Sequence, residues 1–204
     1  MKEDGTNPVP IREEIELLIF NAEKINEHGK RAERIVSGMM QFGYSEQSEK
    51  RPDQVNRTVQ TLCNVVYHSY VQSHMGYKCE LLIETDPAVT TVKYIPEEIA
   101  RALNNIMINA FDAVKDQENK KVIVSTKLAG NKVQIKVEDN GVGIPVSIRS
   151  KIFEPFFTTK PTLEGTGLGL SIAHEIVVKG HDGNLFYQPA AVQGSIFVME
   201  LPVG

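Results

Sequence analysis

Cysteine, long apolar runs and excess charge are all scarce in this 204-residue chain, and each scarcity removes a class of protein. The two cysteines, Cys63 and Cys79, are too few and too isolated for a disulfide framework or a metal cluster, so two free thiols and a reducing compartment are expected. No apolar run approaches the roughly 20 residues that cross a bilayer, and Met1-Lys2-Glu3-Asp4-Gly5 has no apolar signal-peptide core. A cytoplasmic chain, or the cytosolic part of a larger protein, without membrane contact is therefore expected. The formal net charge is −4, and Lys30, Arg31 and Arg34 interleave with Glu27 and Glu33, so no basic surface attracts nucleic acid. No Gly-x-x-x-x-Gly-Lys-Ser/Thr stretch occurs, which excludes a P-loop. What remains is an ordinary globular composition, 41% hydrophobic and 24% charged, long enough for one full-sized core and an appendage.

Residues 1–10, with Gly5, Pro8 and Pro10 among polar residues, read as a flexible lead-in. Over 11–43 the pattern turns helical. Ile15, Leu18, Ala22, Ile25, Gly29, Ala32, Val36 and Met39 alternate strictly at three and four residues, a coiled-coil-like seam. So narrow a stripe needs partner helices, most simply those of a second copy, so a homodimer is expected. Residues 44–53 are polar and hold a proline, which marks a linker, and the main domain is expected over 54–204.

Within that domain a helix is predicted from Asn56 to about Met75, and Cys79, Leu81 and Ile83 alternate as a strand should. Pro96 suits a first helical turn and Glu97 and Glu98 its positive end, opening a helix to about Lys115. Val122, Val124 and Thr126, then Val133, Ile135 and Val137, predict a hairpin about Ala129-Gly130-Asn131-Lys132. A long irregular stretch from Asp139 to Gly165 follows, with at most a short helix around Ser147–Phe153. A helix over Leu168–Val178 and strands at Leu185–Tyr187 and Ile196–Leu201 complete a two-layer α/β (α+β) sandwich.

Three elements carry chemistry. On the Pro96 helix, Asn105, Asn109 and Asp112 fall within an arc of roughly 60°, bordering the apolar arc of Ile99, Ala102, Leu103, Ile106, Ala110 and Ala113. An amide oxygen there is a suitable Mg²⁺ ligand when a substrate's phosphates bring most of the negative charge; a satisfied buried amide network is the plainer explanation. In Asp139-Asn140-Gly141-Val142-Gly143-Ile144-Pro145, strand parity carries Asp139 onto the core face. A carboxylate there needs a donor, and the adenine amino group is one, where guanine presents a carbonyl; an ordinary Asp-Asn-Gly turn is the alternative. Gly165-Thr166-Gly167-Leu168-Gly169-Leu170 opens a helix whose free N–H groups and dipole suit phosphate, and its spacing is not that of the dinucleotide fingerprint.

In this order these elements resemble the N, G1 and G2 boxes of the GHKL ATPase superfamily, which implies the Bergerat ATP-binding fold. Ile152-Phe153-Glu154-Pro155-Phe156-Phe157-Thr158-Thr159-Lys160 is similar to the F box of sensor histidine kinases, and Gly194-Ser195-Ile196-Phe197 to their final glycine motif. The resemblance covers roughly 50–204 and, more weakly, the 11–43 helix, which is similar to the second helix of the kinases' dimerisation hairpin. It implies Mg-ATP as the ligand, Asn109 on the metal, and Asn105 supporting the metal-bound phosphates. It further implies Asp139 at adenine and Gly141 and Gly143 shaping the base pocket, with Ile144 and Ser195 among the nucleotide-binding candidates. Lys160 would lie on a lid near the phosphates, and Gly165, Gly167 and Gly169 would let that lid fold over them, with Thr166, Leu168 and Leu170 also nucleotide-binding candidates; Asn105 and Lys160 are the catalytic candidates. Asp112 stands where many members have lysine, and it joins the nucleotide-binding candidates.

The implied reaction is transfer of the γ-phosphoryl group to a histidine, for relay to a response-regulator receiver domain, by positioning and charge neutralisation. The acceptor box of such kinases, a histidine followed by an acid and later a proline, is not found. His174-Glu175 mimics its start without the proline, and His28, on the long helix, is followed by Gly29. The acceptor helix is expected outside this chain. A dimeric nucleotide-binding regulator without kinase activity is the alternative, and a gyrase- or chaperone-like ATPase fits the F-box residues less well.

Overall fold

The computed structural model describes residues 11–40, 49–161 and 165–203, and the side chains of all of these except 11, 27 and 30–40. The lead-in over 1–10, the end of the helix at 41–43 and the linker residues 44–48 lie outside the described residues, as do the side chains of the seam positions Ala32, Val36 and Met39. The chain divides into two units. One is built on the long helix and takes in residues 159–166; the other spans 45–158 and 167–204.

In the first unit, α1 runs unbroken over Ile11–Met40. Its seam residues Ile15, Leu18 and Ile25 are exposed, up to 73% at Ile25. So are Leu17, Ile19 and Phe20, which makes the helix apolar nearly all round between 15 and 20. A helix of that kind is stable when covered.

The second unit is the expected two-layer sandwich. Its sheet has five strands in the order β2-β4-β5-β7-β6, where β2 is Glu80–Glu84, β4 Lys121–Ala129, β5 Lys132–Asp139, β6 Asn184–Pro189 and β7 Ser195–Pro202. β2 runs parallel to β4 and every other pair is antiparallel. The hairpin falls where the sequence places it, with Ala129 opposite Lys132. Val122, Val124, Thr126, Val133, Ile135, Val137, Phe197, Met199 and Leu201 alternate inward along their strands and are buried.

The helical layer is α2 (Val55–Ser73), α3 (Pro96–Ala113) and α4 (Gly169–His174), with α3 packed between the other two and against β5. α3 starts on Pro96 with Glu97 and Glu98 in its first turn, as expected. Three features differ from the sequence expectation. The end of the 44–53 linker is not linker: Arg51–Gln54 forms β1, antiparallel to β3 (Thr91–Tyr94), and this ribbon leads into both α2 and α3. The 168–178 helix is α-helical only to His174, and Glu175–Gly180 widens into a π turn. The short helix in the irregular stretch is a 3₁₀ turn over Val146–Lys151.

Behind the π turn, buried His181 joins two elements. Its Nε2 accepts from the Ile95 N–H at 2.9 Å and its Nδ1 donates to the Ile176 carbonyl at 2.8 Å, which fixes the tautomer. Cys63 and Cys79 are free and buried. Among the described residues no helix is long and apolar enough to cross a membrane.

Candidate functional site

α3 sets the first part of the site. Asn105 and Asn109 are half-buried at its core margin, and the amide nitrogen of Asn105 is buried without a hydrogen-bond partner. The first turn of α4 lies directly against it: a Cβ on Gly169 would stand 3.7 Å from both Cβ and Cγ of Asn105. Asp112, one turn beyond Asn109, accepts a 2.5 Å hydrogen bond from the Tyr70 hydroxyl of α2. That bond gives Asp112 a role in tying α2 to α3.

The turn after β5 sets the second part. Asp139 is the last residue of β5, paired on one side with Val122 and on the other with Ser195, and it is 3% exposed. Its Oδ1 accepts from the N–H of Gly141 at 2.8 Å and from that of Ser195 at 3.3 Å. Burial raises its pKa to about 6, and the two N–H donors oppose that rise without cancelling it. Asn140 points the other way and pins the turn to the start of β4, accepting from the Lys121 N–H at 2.9 Å and donating to the Asn119 carbonyl at 2.6 Å.

Two glycines make this turn possible. Gly141 passes so close to the Ala113 carbonyl, at the end of α3, that a Cβ would overlap it. Gly194, at φ +116°, passes the Asp139 carbonyl closer still. Gly194 and Ser195 therefore help to hold Asp139, and Gly143 rests against the Gly194 carbonyl at 3.2 Å from its would-be Cβ. Ile144 is half-buried and packs against the core.

The third part is the approach to α4. Gly167, at φ +69°, lies against the backbone of Phe156, which itself has φ +67°. Leu168 is buried and its carbonyl accepts from the Ile172 N–H and the Ser171 hydroxyl, both at 2.9 Å, and Leu170 packs on the core. Lys160, Gly165 and Thr166 belong to the first unit, and residues 162–164 between them lie outside the described ones.

Asn105, Gly169 and the Asp139 turn thus converge on α3. With 1.5 Å of rise per residue, Asn109 and Asn105 stand about 6 Å and about 12 Å up that helix from Ala113, against which Gly141 lies. One further residue on this face is absent from the sequence expectation. Arg101 precedes Asn105 by four positions and has buried Nε and Nη2 atoms without a hydrogen-bond partner. Among the described residues no three His, Cys, Asp or Glu side chains gather to hold a metal, so the oxygens that the α3 stripe offers are those of its amides and of Asp112.

Residues 94–204 match the family of histidine kinase-, DNA gyrase B- and HSP90-like ATPases. The chain is 30% identical over 170 residues to the signal transduction histidine-protein kinase AtoS of Escherichia coli (strain K12), an alignment covering 83% of this chain and 27% of AtoS. Its shares of two other curated relatives are 32% and 43%, so it spans less than half the length of these proteins. The solved catalytic domain of histidine kinase ThkA superposes with a TM-score of 0.65 at 29% identity, covering 76% of this chain and 98% of that one. A structure of ThkA in complex with the response regulator protein TrrA shares the fold over 100% of this chain and 55% of that one, with a TM-score of 0.68 at 24% identity.

Proposed function

Because this chain belongs to the family of histidine kinase-, DNA gyrase B- and HSP90-like ATPases, we propose that it is the ATP-binding catalytic part of a sensor histidine kinase, passing the γ-phosphoryl group of Mg-ATP to a histidine on a separate helix. The observation that carries this reading is the amide nitrogen of Asn105, a buried donor without a partner beside the glycine-opened start of α4. A buried donor left without an acceptor costs roughly 1–3 kcal/mol, and phosphate oxygens would be its acceptors.

Asp139 takes the adenine amino group, for which a desolvated carboxylate is a strong acceptor. Ser195 steadies that carboxylate, and Gly141, Gly143 and Ile144 give the ring a flat wall. Asn109 offers its amide oxygen to Mg²⁺, which when bound neutralises phosphate charge. The start of α4, from Gly167 through Leu168 and Gly169 to Leu170, is the phosphate side of the site, and Lys160, Gly165 and Thr166 are lid candidates on their sequence motif alone. Asp112 stays with Tyr70 and shapes the helix pair.

The partners follow from the same reading: an acceptor histidine helix, the receiver domain of a response regulator (the ThkA complex holds a response regulator protein), and a second copy of this chain through α1. The apolar residues exposed around α1 support that dimer. The work is done in the cytoplasm, by a catalytic domain over 54–204 joined to a dimerisation helix over 11–43. Incubation with γ-labelled ATP, alone and with a histidine-bearing hairpin from a related kinase, tests the proposal. Label on the hairpin supports a kinase. Label that stays on bound ATP in both mixtures means a nucleotide-binding dimeric regulator.

A further inference from the structure

Arg101 lies 40° around α3 from Asn105 and about 6 Å nearer the start of the helix, on the same face. The buried side-chain donors without a hydrogen-bond partner among the described residues are the Nε and Nη2 of Arg101 and the Nδ2 of Asn105. They sit one helical turn apart. A guanidinium carries its charge at any ordinary pH, and Arg101 is half-buried, so two buried guanidinium nitrogens that meet no acceptor are costly to keep. Glu98, one turn earlier, is the acidic neighbour whose charge acts on it, without a hydrogen bond at Nε or Nη2.

The order of groups along α3 indicates what would complete this arrangement. Gly141, in the turn that follows Asp139, lies against Ala113 at the end of the helix. Asn109, Asn105 and Arg101 then follow at about 6, 12 and 18 Å of rise. A nucleotide with its base at Asp139 and its phosphates passing Asn109 and Asn105 brings its last phosphate toward Arg101. We propose that Arg101 binds the terminal phosphate of the nucleotide and thereby distinguishes a triphosphate from a diphosphate. The planar fork of a guanidinium suits two oxygens of one phosphate, which a lysine ammonium matches only as a point charge. This inference rests on the nucleotide reading above.

The test is the affinity of the whole chain for ATP and for ADP, each with Mg²⁺, by calorimetry. Arg101→Met keeps the apolar stem and Arg101→Lys keeps the charge; a thermal melt shows whether each variant is folded. Arg101→Met is expected to weaken ATP about tenfold to a hundredfold and to leave ADP within about twofold, with Arg101→Lys between it and the parent. Equal losses for ATP and ADP, or no loss for either, overturn the inference. If the parent binds ATP and Asn109→Ala weakens it while Arg101→Met leaves the ATP-to-ADP ratio unchanged, the Arg101 inference fails alone. If the parent binds neither nucleotide, both readings fail together.

Discussion

Replacing Asp139 with Asn removes a buried charge that destabilises the fold and that the proposed adenine contact uses. The carboxylate is 3% exposed, and burial lifts its pKa from an ordinary 3.8 to about 6. Between those values the folded chain holds more protons than the unfolded one. Stability therefore falls as pH rises from about 4 to about 6 and stays reduced above that window. At about 1.4 kcal/mol per pKa unit, the rise from 3.8 to about 6 amounts to roughly 3 kcal/mol. An Asn side chain keeps an oxygen for the N–H groups of Gly141 and Ser195 and carries no charge. Asp139→Asn is thus expected to gain roughly 1–3 kcal/mol in denaturant melts at pH 8 and to change little at pH 4.

On the proposed site, the same substitution also removes the charged acceptor for the adenine amino group. With a pKa of about 6, only about one Asp139 in ten is ionised at pH 5, so affinity for adenosine, which has no titrating phosphate, is expected to fall up to about tenfold between pH 7.5 and pH 5. In Asp139→Asn, affinity is expected to be low at both pH values and flat between them. A variant no more stable than its parent at pH 8 would deny Asp139 its buried charge, and one with the parent's pH profile for adenosine would deny it the adenine contact.

Gly194→Ala drives a Cβ into the Asp139 carbonyl from a backbone conformation that L side chains rarely adopt, so a loss of about 3 kcal/mol or more is expected in chemical melts. His181→Ala leaves the Ile95 N–H without its acceptor and opens a cavity behind α3, with an expected cost of about 2–4 kcal/mol in thermal melts. Leu18→Glu combined with Ile25→Glu puts charge on the exposed seam and is expected to turn a dimer into a monomer by sedimentation; a parent chain monomeric at high concentration contradicts the dimer.

The parts of the fold legible in the sequence are those whose cause is local. Pro96, Glu97 and Glu98 mark the start of α3 because a first turn favours them, and the alternation of Val133, Ile135 and Val137 fixes which way Asp139 faces. The parts that were not legible depend on distant partners. β1 reads Arg-Pro-Asp-Gln, with no apolar alternation, and exists because β3 pairs with it. The place of Ser195 at Asp139 comes from β5 pairing with β7, across 56 residues of sequence. Arg101 has the spacing of the Asn stripe, one turn upstream, but a long cationic side chain reads as solvated surface until its two buried nitrogens are seen.

On the proposed function, α3 and the Asp139 turn form one Mg-ATP site. Calorimetric titration of ATP into the parent chain and into Asn109→Ala, each with Mg²⁺ and with a chelator, tests it most directly. Mg-dependent binding is expected in the parent, with at least about a tenfold loss and little remaining Mg dependence in Asn109→Ala. The same affinity in both proteins, unchanged by the chelator, would rule that site out.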